Sequence, residues 1–250
     1  MLDITGDKKK MKNRIKSILQ SLLLASFFII SCQKIFFNED ESTRELFLKD
    51  FHAVKISGIY NIVLIQDSAN HLVITGKNDI NSVSAVIIDD TLIIGNNKKI
   101  SFNPGKNSLA LHFSSLEYMV SYDPLNVSNT DTIKADNFLY EAIGEIAEVR
   151  LTVDCKYFNV VNSANTLGYF YFNGKADNCT FFNRYGCSIF ADSLLCKNAE
   201  IVTESVGDVY INASESIRAS IWGPGNIYYY GTPVIEIAEK RGDGKLIGLN

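Results

Sequence analysis

Gly207-Asp208-Val209-Tyr210-Ile211 is followed eighteen residues on by Gly225-Asn226-Ile227-Tyr228-Tyr229, and nineteen further on by Gly244-Lys245-Leu246-Ile247-Gly248. The same pattern, a small residue followed by polar, apolar, outward and apolar positions, runs upstream through Cys187-Ser188-Ile189-Phe190-Ala191, Gly168-Tyr169-Phe170-Tyr171-Phe172 and Ala147-Glu148-Val149-Arg150-Leu151. Counted through the central apolar residue (Val149, Phe170, Ile189, Val209, Ile227, Leu246), the steps are 21, 19, 20, 18 and 19 residues, and Val127 lies 22 before the first. Within each unit the period is two, that of a strand; between units it is near twenty, that of a stacked array.

Two further columns keep the same step. Ala135, Cys155, Ala176, Cys196 and Ser214 supply small side chains for a tight corner, with polar Asn137, Tyr157, Asn178, Asn198 and Ser216 two residues on. Tyr140, Val160, Phe181, Ile201 and Ala219 supply a second apolar wall. One unit cannot bury its apolar face alone, so the units must stack. The spacing predicts an all-β chain: a single-stranded parallel β-solenoid with rungs of about twenty residues, right-handed because parallel crossovers nearly always are. Ahead of it, two alternating runs about a glycine in residues 51–66 predict an N-terminal β-hairpin-like portion, and residues 72–76 and 91–95 further strands.

The first 31 residues read as a targeting segment. Lys8, Lys9, Lys10, Lys12, Arg14 and Lys16 precede an apolar run from Ile18 to Ile30 that is short for a membrane span. Met11 would open a more ordinary signal. The run ends in Ile29-Ile30-Ser31-Cys32, which resembles a bacterial lipobox, so Cys32 is the expected lipidation site and mature N-terminus, and lipid is the expected route to the membrane. Residues 32–50, with Asn38-Glu39-Asp40-Glu41-Ser42, read as a tether, and 51–250 as the folded domain. Removing residues 1–31, with six Lys+Arg and two Asp+Glu, leaves 18 against 26, a net charge of −8. Polyanion binding needs clustered Lys and Arg, so nucleic acid is disfavoured as a partner.

The order of strands from Phe51, closing on Trp222-Gly223-Pro224-Gly225-Asn226-Ile227 and Gly242-Asp243-Gly244-Lys245-Leu246, resembles the auto-transporter adhesin "head GIN" domain family, and in particular its Bacteroidetes lipoprotein members. The resemblance implies a β-solenoid in the cell envelope, lipid-anchored to the outer membrane and facing either side of it. It carries no catalytic residues. Asp67-Ser68-Ala69, Asp90-Thr91-Leu92, Asp131-Thr132-Ile133 and Asp192-Ser193-Leu194 also resemble the O-glycosylation acceptor of that phylum. An intact native mass equal to that of the bare chain would remove that hypothesis.

Motifs for chemistry are thin. His52, His71 and His112 lack metal-site spacing, and no phosphate loop, Gly-x-Ser-x-Gly or Cys-x-x-Cys occurs, so no cofactor or metal is expected. Cys155 and Cys196 share a column two rungs apart, about 9.6 Å on strand spacing and beyond disulfide reach. Cys179 with Cys187, or a pair across adjacent rungs, is the remaining disulfide option.

Between the inward positions lie outward ones: Arg150, Tyr171, Phe190, Tyr210, Tyr228 and Ile247. The four rings are either a flat strip for sugar rings or a partner's apolar surface, or a stack that holds the sheet in register, and the routine use of such rows weighs toward the second. The functional expectation is a non-enzymatic adhesion or scaffolding module that contacts a glycan or another envelope protein. The alternative is a β-helix polysaccharide lyase or hydrolase. A lyase would want basic residues along one face, but Arg150, Arg184, Arg218 and Arg241 fall at non-equivalent positions. A hydrolase would want converging carboxylates, for which Asp136, Asp154 and Asp177 at the small-residue corner are the candidates.

Overall fold

The computed structural model describes residues 41–77, 80–96, 107–144, 146–163 and 165–249. The targeting segment, Cys32 and the tether as far as residue 40 lie outside the described residues. Among those described, all regular structure is strand apart from one 3-10 turn at Ile80–Ser82.

The repeat is a coil of parallel rungs. β9 (Leu125–Asn129), β10 (Ile133–Ile143), β11 (Ile146–Ser163), β12 (Leu167–Ser205) and β13 (Val209–Ile221) are followed by β14 (Ile227–Tyr230), β15 (Val234–Lys240) and β16 (Leu246–Gly248). Val127, Val149 and Phe170 are register partners in turn, and so are Ile189, Val209, Ile227 and Leu246. Val149, Phe170, Ile189, Val209 and Ile227 are fully buried, which is the inward face read from the alternation. Each such side chain contributes roughly 1.5–3 kcal/mol on burial. The second wall holds too: Tyr140 pairs with Val160, Val160 with Phe181, and Ile201 with Ala219. The solenoid has about six turns.

The small-residue column departs from the sequence reading at one rung. Ala135, Cys155 and Ala176 are partners as expected, but Cys196 lies on Ala213, with Ser214 one residue beyond. The register shifts between Ala191 and Leu195 and again between Cys196 and Asn198, so each of these two rungs takes up its extra residues as a bulge at this corner.

The N-terminal part is built into the same coil out of sequence order. β2 (Ala53–Ile56) lies between β6 (Thr91–Asn96) and β8 (Tyr118–Ser121), all parallel. β3 (Tyr60–Gln66) lies between β7 (Asn107–Phe113) and β9, also parallel. Gly58, at φ 121, therefore turns a corner of a rung and does not close a hairpin between β2 and β3. Antiparallel pairing appears further out. β5 (Val83–Ile88) forms a hairpin with β6, and β4 (His71–Gly76) pairs with β7 and with β1 (Ser42–Phe47). β1 falls in the stretch read as tether: its alternation is weak, and β4 supplies the partner that orders it.

Side-chain amides carry the ladder around corners where backbone pairing lapses. Asn129 accepts from Thr152 N–H at 2.9 Å and donates to Thr152 C=O at 2.8 Å. Gln66 does the same to Lys134 at 2.8 and 3.0 Å, and Asn162 to Arg184 at 3.0 and 2.5 Å. At the C-terminal corner the chain stacks through glycine alone. A Cβ on Gly225, Gly242 or Gly244 would press on the carbonyl oxygen of Gly207, Gly223 or Gly225 respectively. That is the physical reason for the closing Gly-Pro-Gly and Gly-Asp-Gly.

Candidate functional site

One outward column crosses the sheet from β1 to β16. It starts at Glu45 and passes through Val73, Ala110, Val63 and Ser128 to Arg150. Tyr171 pairs with Arg150, and the column closes through Phe190, Tyr210, Tyr228 and Ile247. The ring centroids are 5.0, 5.2 and 4.8 Å apart from Tyr171 through Phe190 and Tyr210 to Tyr228, with interplanar angles of 12°, 12° and 14°. The Arg150 guanidinium lies 3.9 Å from the Tyr171 ring centre and closes the upstream end. All four rings are half-buried. Their faces are turned on one another, so the column offers ring edges outward. Burial, with the charge of Asp208 second, raises the Tyr210 phenol above its ordinary range.

Beside this ladder the surface opens. On the strand of Tyr171 the neighbouring outward residues are Tyr169 and Leu167, which are 55% and 50% exposed. The Tyr171–Phe190 stack sets Ser188 next to Tyr169 and Gly186 next to Leu167, and a Cβ at Gly186 would strike Leu167 Cδ2. At the adjoining corner Tyr185 and Val206 are 46% and 70% exposed and are linked by the Val206 N–H to Tyr185 C=O bond of 2.8 Å.

The small-residue corner forms an open groove of about 590 Å³. Its floor is Ala135, Cys155, Ala176 and Cys196, and its walls alternate in charge from rung to rung. Asp154 meets Lys175 at 3.2 Å and Asp177 meets Lys197 at 2.7 Å. The Lys197 ammonium holds the Asp177 carboxyl below its ordinary range, opposite to what a general acid needs. Asp136 lines the same groove. The arginines that a lyase would use are engaged as well: Arg150 with Glu148, Arg184 with Glu204, Arg218 with Glu200 and Glu236, and Arg241 with Glu239.

Cys155, Cys179, Cys187 and Cys196 are buried and free. Cys179 and Cys187 are not bridged: the Cys187 thiol points to the Thr166 carbonyl at 3.3 Å, while the Cys179 thiol lies against that of Cys196. Burial pushes the Cys155 thiol up to about 11 and that of Cys187 to about 12.

Sequence spacing missed one cluster. His71 and His112, forty-one residues apart, face each other across β4 and β7 with ring centroids 3.7 Å apart. Glu45 lies 3.7 Å from His71, and Asp67 lies 3.3 Å from His112. The antiparallel β4–β7 pairing creates this contact, and no local motif announces it. Among the described residues no group of three or more His, Cys, Asp or Glu is arranged to hold a metal ion. Of the Asp-Ser/Thr-apolar positions, Ser68 and Ser193 are exposed, and Thr91 and Thr132 half-buried.

The architecture is that of a parallel β-solenoid whose rungs close on stacked glycines. Residues 50–233 match the family described as "Putative auto-transporter adhesin, head GIN domain", and the chain belongs to that family. It is similar in fold to a crystal structure titled as a putative adhesin from Bacteroides fragilis (TM-score 0.74, 23% identity, 85% of this chain and 98% of that one). It also resembles a putative adhesin from Parabacteroides merdae (TM-score 0.62, 20% identity, again 85% and 98%). A third neighbour, from Parabacteroides distasonis, is titled as a putative lipid binding protein (TM-score 0.56, 18% identity, 85% and 98%). No curated protein matches the chain.

Proposed function

We propose that this protein is a non-enzymatic adhesion module of the cell envelope, anchored to the outer membrane by lipid on Cys32, that holds a glycan or another envelope protein against the outward face bearing Tyr171, Phe190, Tyr210 and Tyr228. The carrying observation is the exposed apolar surface of Leu167 and Tyr169, held beside a rigid row of four stacked aromatic rings. A solenoid suits the role because adjacent rungs fix one another, so a surface several rungs long is held ready without ordering cost on binding. Family membership supports the adhesion reading. The pairing of Asp154 and Asp177 with lysines and of the arginines with glutamates speaks against the polysaccharide-active alternative.

A glycan array probed with purified protein, beside the Tyr171→Ala/Tyr210→Ala double variant, tests the face. Binding that the double variant lowers supports it; no binding to any glycan or envelope protein sinks it. Labelled palmitate entering the wild-type chain and not Cys32→Ala tests the anchor. Protease treatment of intact cells reports which side of the membrane carries the domain.

A further inference from the structure

The ladder poses a difficulty for sugar contact that the ledge beside it resolves. A pyranose packs its C–H face flat on an open aromatic face. In the ladder those faces are already taken, at centroid spacings of 4.8–5.2 Å, and Arg150 covers the free end at Tyr171. Tyr169 differs. Its nearest ring, Phe190, is 6.4 Å away and tilted by 33°, its neighbour on the next rung is the small Ser188, and it is more than half exposed. Leu167 lies over Gly186, in the space a Cβ there would fill, and so forms a shallow step beside Tyr169.

Tyr185 adds a second observation. It adopts φ 60, a left-handed conformation, at the corner where the preceding rung has Asn165 at φ 62. Asparagine tolerates that conformation; a bulky aromatic is an outlier there. The turn would form more cheaply with Asn or Gly, so folding does not explain a tyrosine that is 46% exposed. Strain of this kind persists where an outward side chain is used.

Charge selects the partner. The ions flanking the step neutralise each other in pairs, Glu148 with Arg150 at 2.7 Å and Arg184 with Glu204 at 3.3 Å. Among the described residues Asp208, which the register sets over Ser188, is bridged to no cation and accepts the Asn226 N–H at 2.7 Å, so the step repels an acidic chain and suits a neutral one.

We propose that the step formed by Leu167, Tyr169, Tyr185 and Val206 is a docking site for a neutral hexose chain, with Tyr169 as the stacking platform and the ladder as its rigid back wall. This rests on the adhesion reading above and narrows it to one ligand class and one place.

The test is titration calorimetry of the full chain with neutral oligosaccharides (α- and β-glucan, α-mannan and β-galactan fragments) and with an acidic uronate oligomer for contrast. Tyr169→Ala, Tyr169→Phe, Tyr185→Asn and Tyr171→Ala are compared, each first shown to unfold cooperatively. A neutral oligosaccharide is expected to bind the wild type, with about tenfold weaker binding for Tyr169→Ala and near-wild-type binding for Tyr169→Phe. Tyr185→Asn should bind more weakly while folding at least as stably. Binding unchanged in both Tyr169→Ala and Tyr185→Asn but lost in Tyr171→Ala would overturn the step and leave the adhesion reading standing. Binding of the uronate alone overturns the neutral-ligand assignment. Absence of binding to every sugar overturns the proposal together with the glycan branch of the broader reading.

Discussion

Tyr171 and Phe190 lie face to face, centroids 5.0 Å apart and planes 12° apart, on successive turns of the coil that both fall within β12. Phe190 also stacks on Tyr210, at 5.2 Å, so it is held on both faces. A stacked aromatic pair contributes about 0.5–1.5 kcal/mol beyond the area it buries. Phe190→Ala should therefore cost about 1–3 kcal/mol for the two stacks together. Phe190→Leu, which keeps most of the apolar area, should recover less than half of that. Urea unfolding of the two variants checks it, and equal stability of Phe190→Leu and wild type would show that the ladder contributes area and nothing more.

The glycine corner makes a sharper prediction. A Cβ on Gly223 would sit 2.6 Å from the Ser205 carbonyl oxygen, and that oxygen already accepts the Gly225 N–H at 2.9 Å. Neither backbone can retreat without breaking the rung. Gly223→Ala should destabilise the fold by about 1–3 kcal/mol, as overpacking does. At Gly95 the nearest atom to a new Cβ is Ser84 Oγ at 3.6 Å, an ordinary contact. Gly95→Ala should be neutral or stabilise by about 0.5 kcal/mol through the unfolded chain. Thermal unfolding of the pair decides whether the corner is as tight as the geometry states.

What the sequence showed and what it hid follow from the range of each interaction. The inward columns through Phe170 and Val160 were legible because burial forces alternation along each strand, and stacking repeats it every rung. The ladder from Tyr171 to Tyr228 was legible for the same reason. The N-terminal rung order was not, because β2 finds its partners in β6 and β8, and a jump over an intervening rung leaves no period to read. The same holds for His71 against His112, which only tertiary pairing joins. The step at Tyr169 was hidden differently. Its residues were all in view, but its openness depends on what the next rung lacks, at Ser188 and Gly186, and a repeat search looks for what recurs.

Asn162 was invisible to polarity reasoning, since a buried asparagine inside an apolar stretch looks like an error. It is fully buried and exchanges two hydrogen bonds with the Arg184 backbone one rung away. Asn162→Leu would leave an N–H and a C=O without partners, each costing roughly 1–3 kcal/mol in the interior. The expected loss is about 2–6 kcal/mol. It should appear as fast amide exchange at Arg184 and its neighbours before global unfolding. Slow exchange at Arg184 in the variant would mean that backbone pairing takes over the corner.

The thiols yield the pH prediction. In residues 41–250 the four cysteines are buried, with Cys155 at about 11 and Cys187 at about 12 because burial disfavours the thiolate. A thiolate is the reactive species, so the native domain at pH 8 should react with a disulfide reagent far more slowly than the unfolded chain, which should release four equivalents. The same shift sets a stability trend. Both groups hold their proton more tightly folded than unfolded, where the ordinary value is 9.0. Their contribution is complete below about pH 9. It drains away as pH rises toward the folded values, because the unfolded thiols ionise first. Tyr140, raised by burial, falls on the same alkaline limb. Cys155→Ala/Cys187→Ala should therefore shallow that limb without abolishing it, measured as unfolding free energy from pH 8 to 11. An unchanged slope would mean that these thiols are more solvated than their place among the inward columns implies.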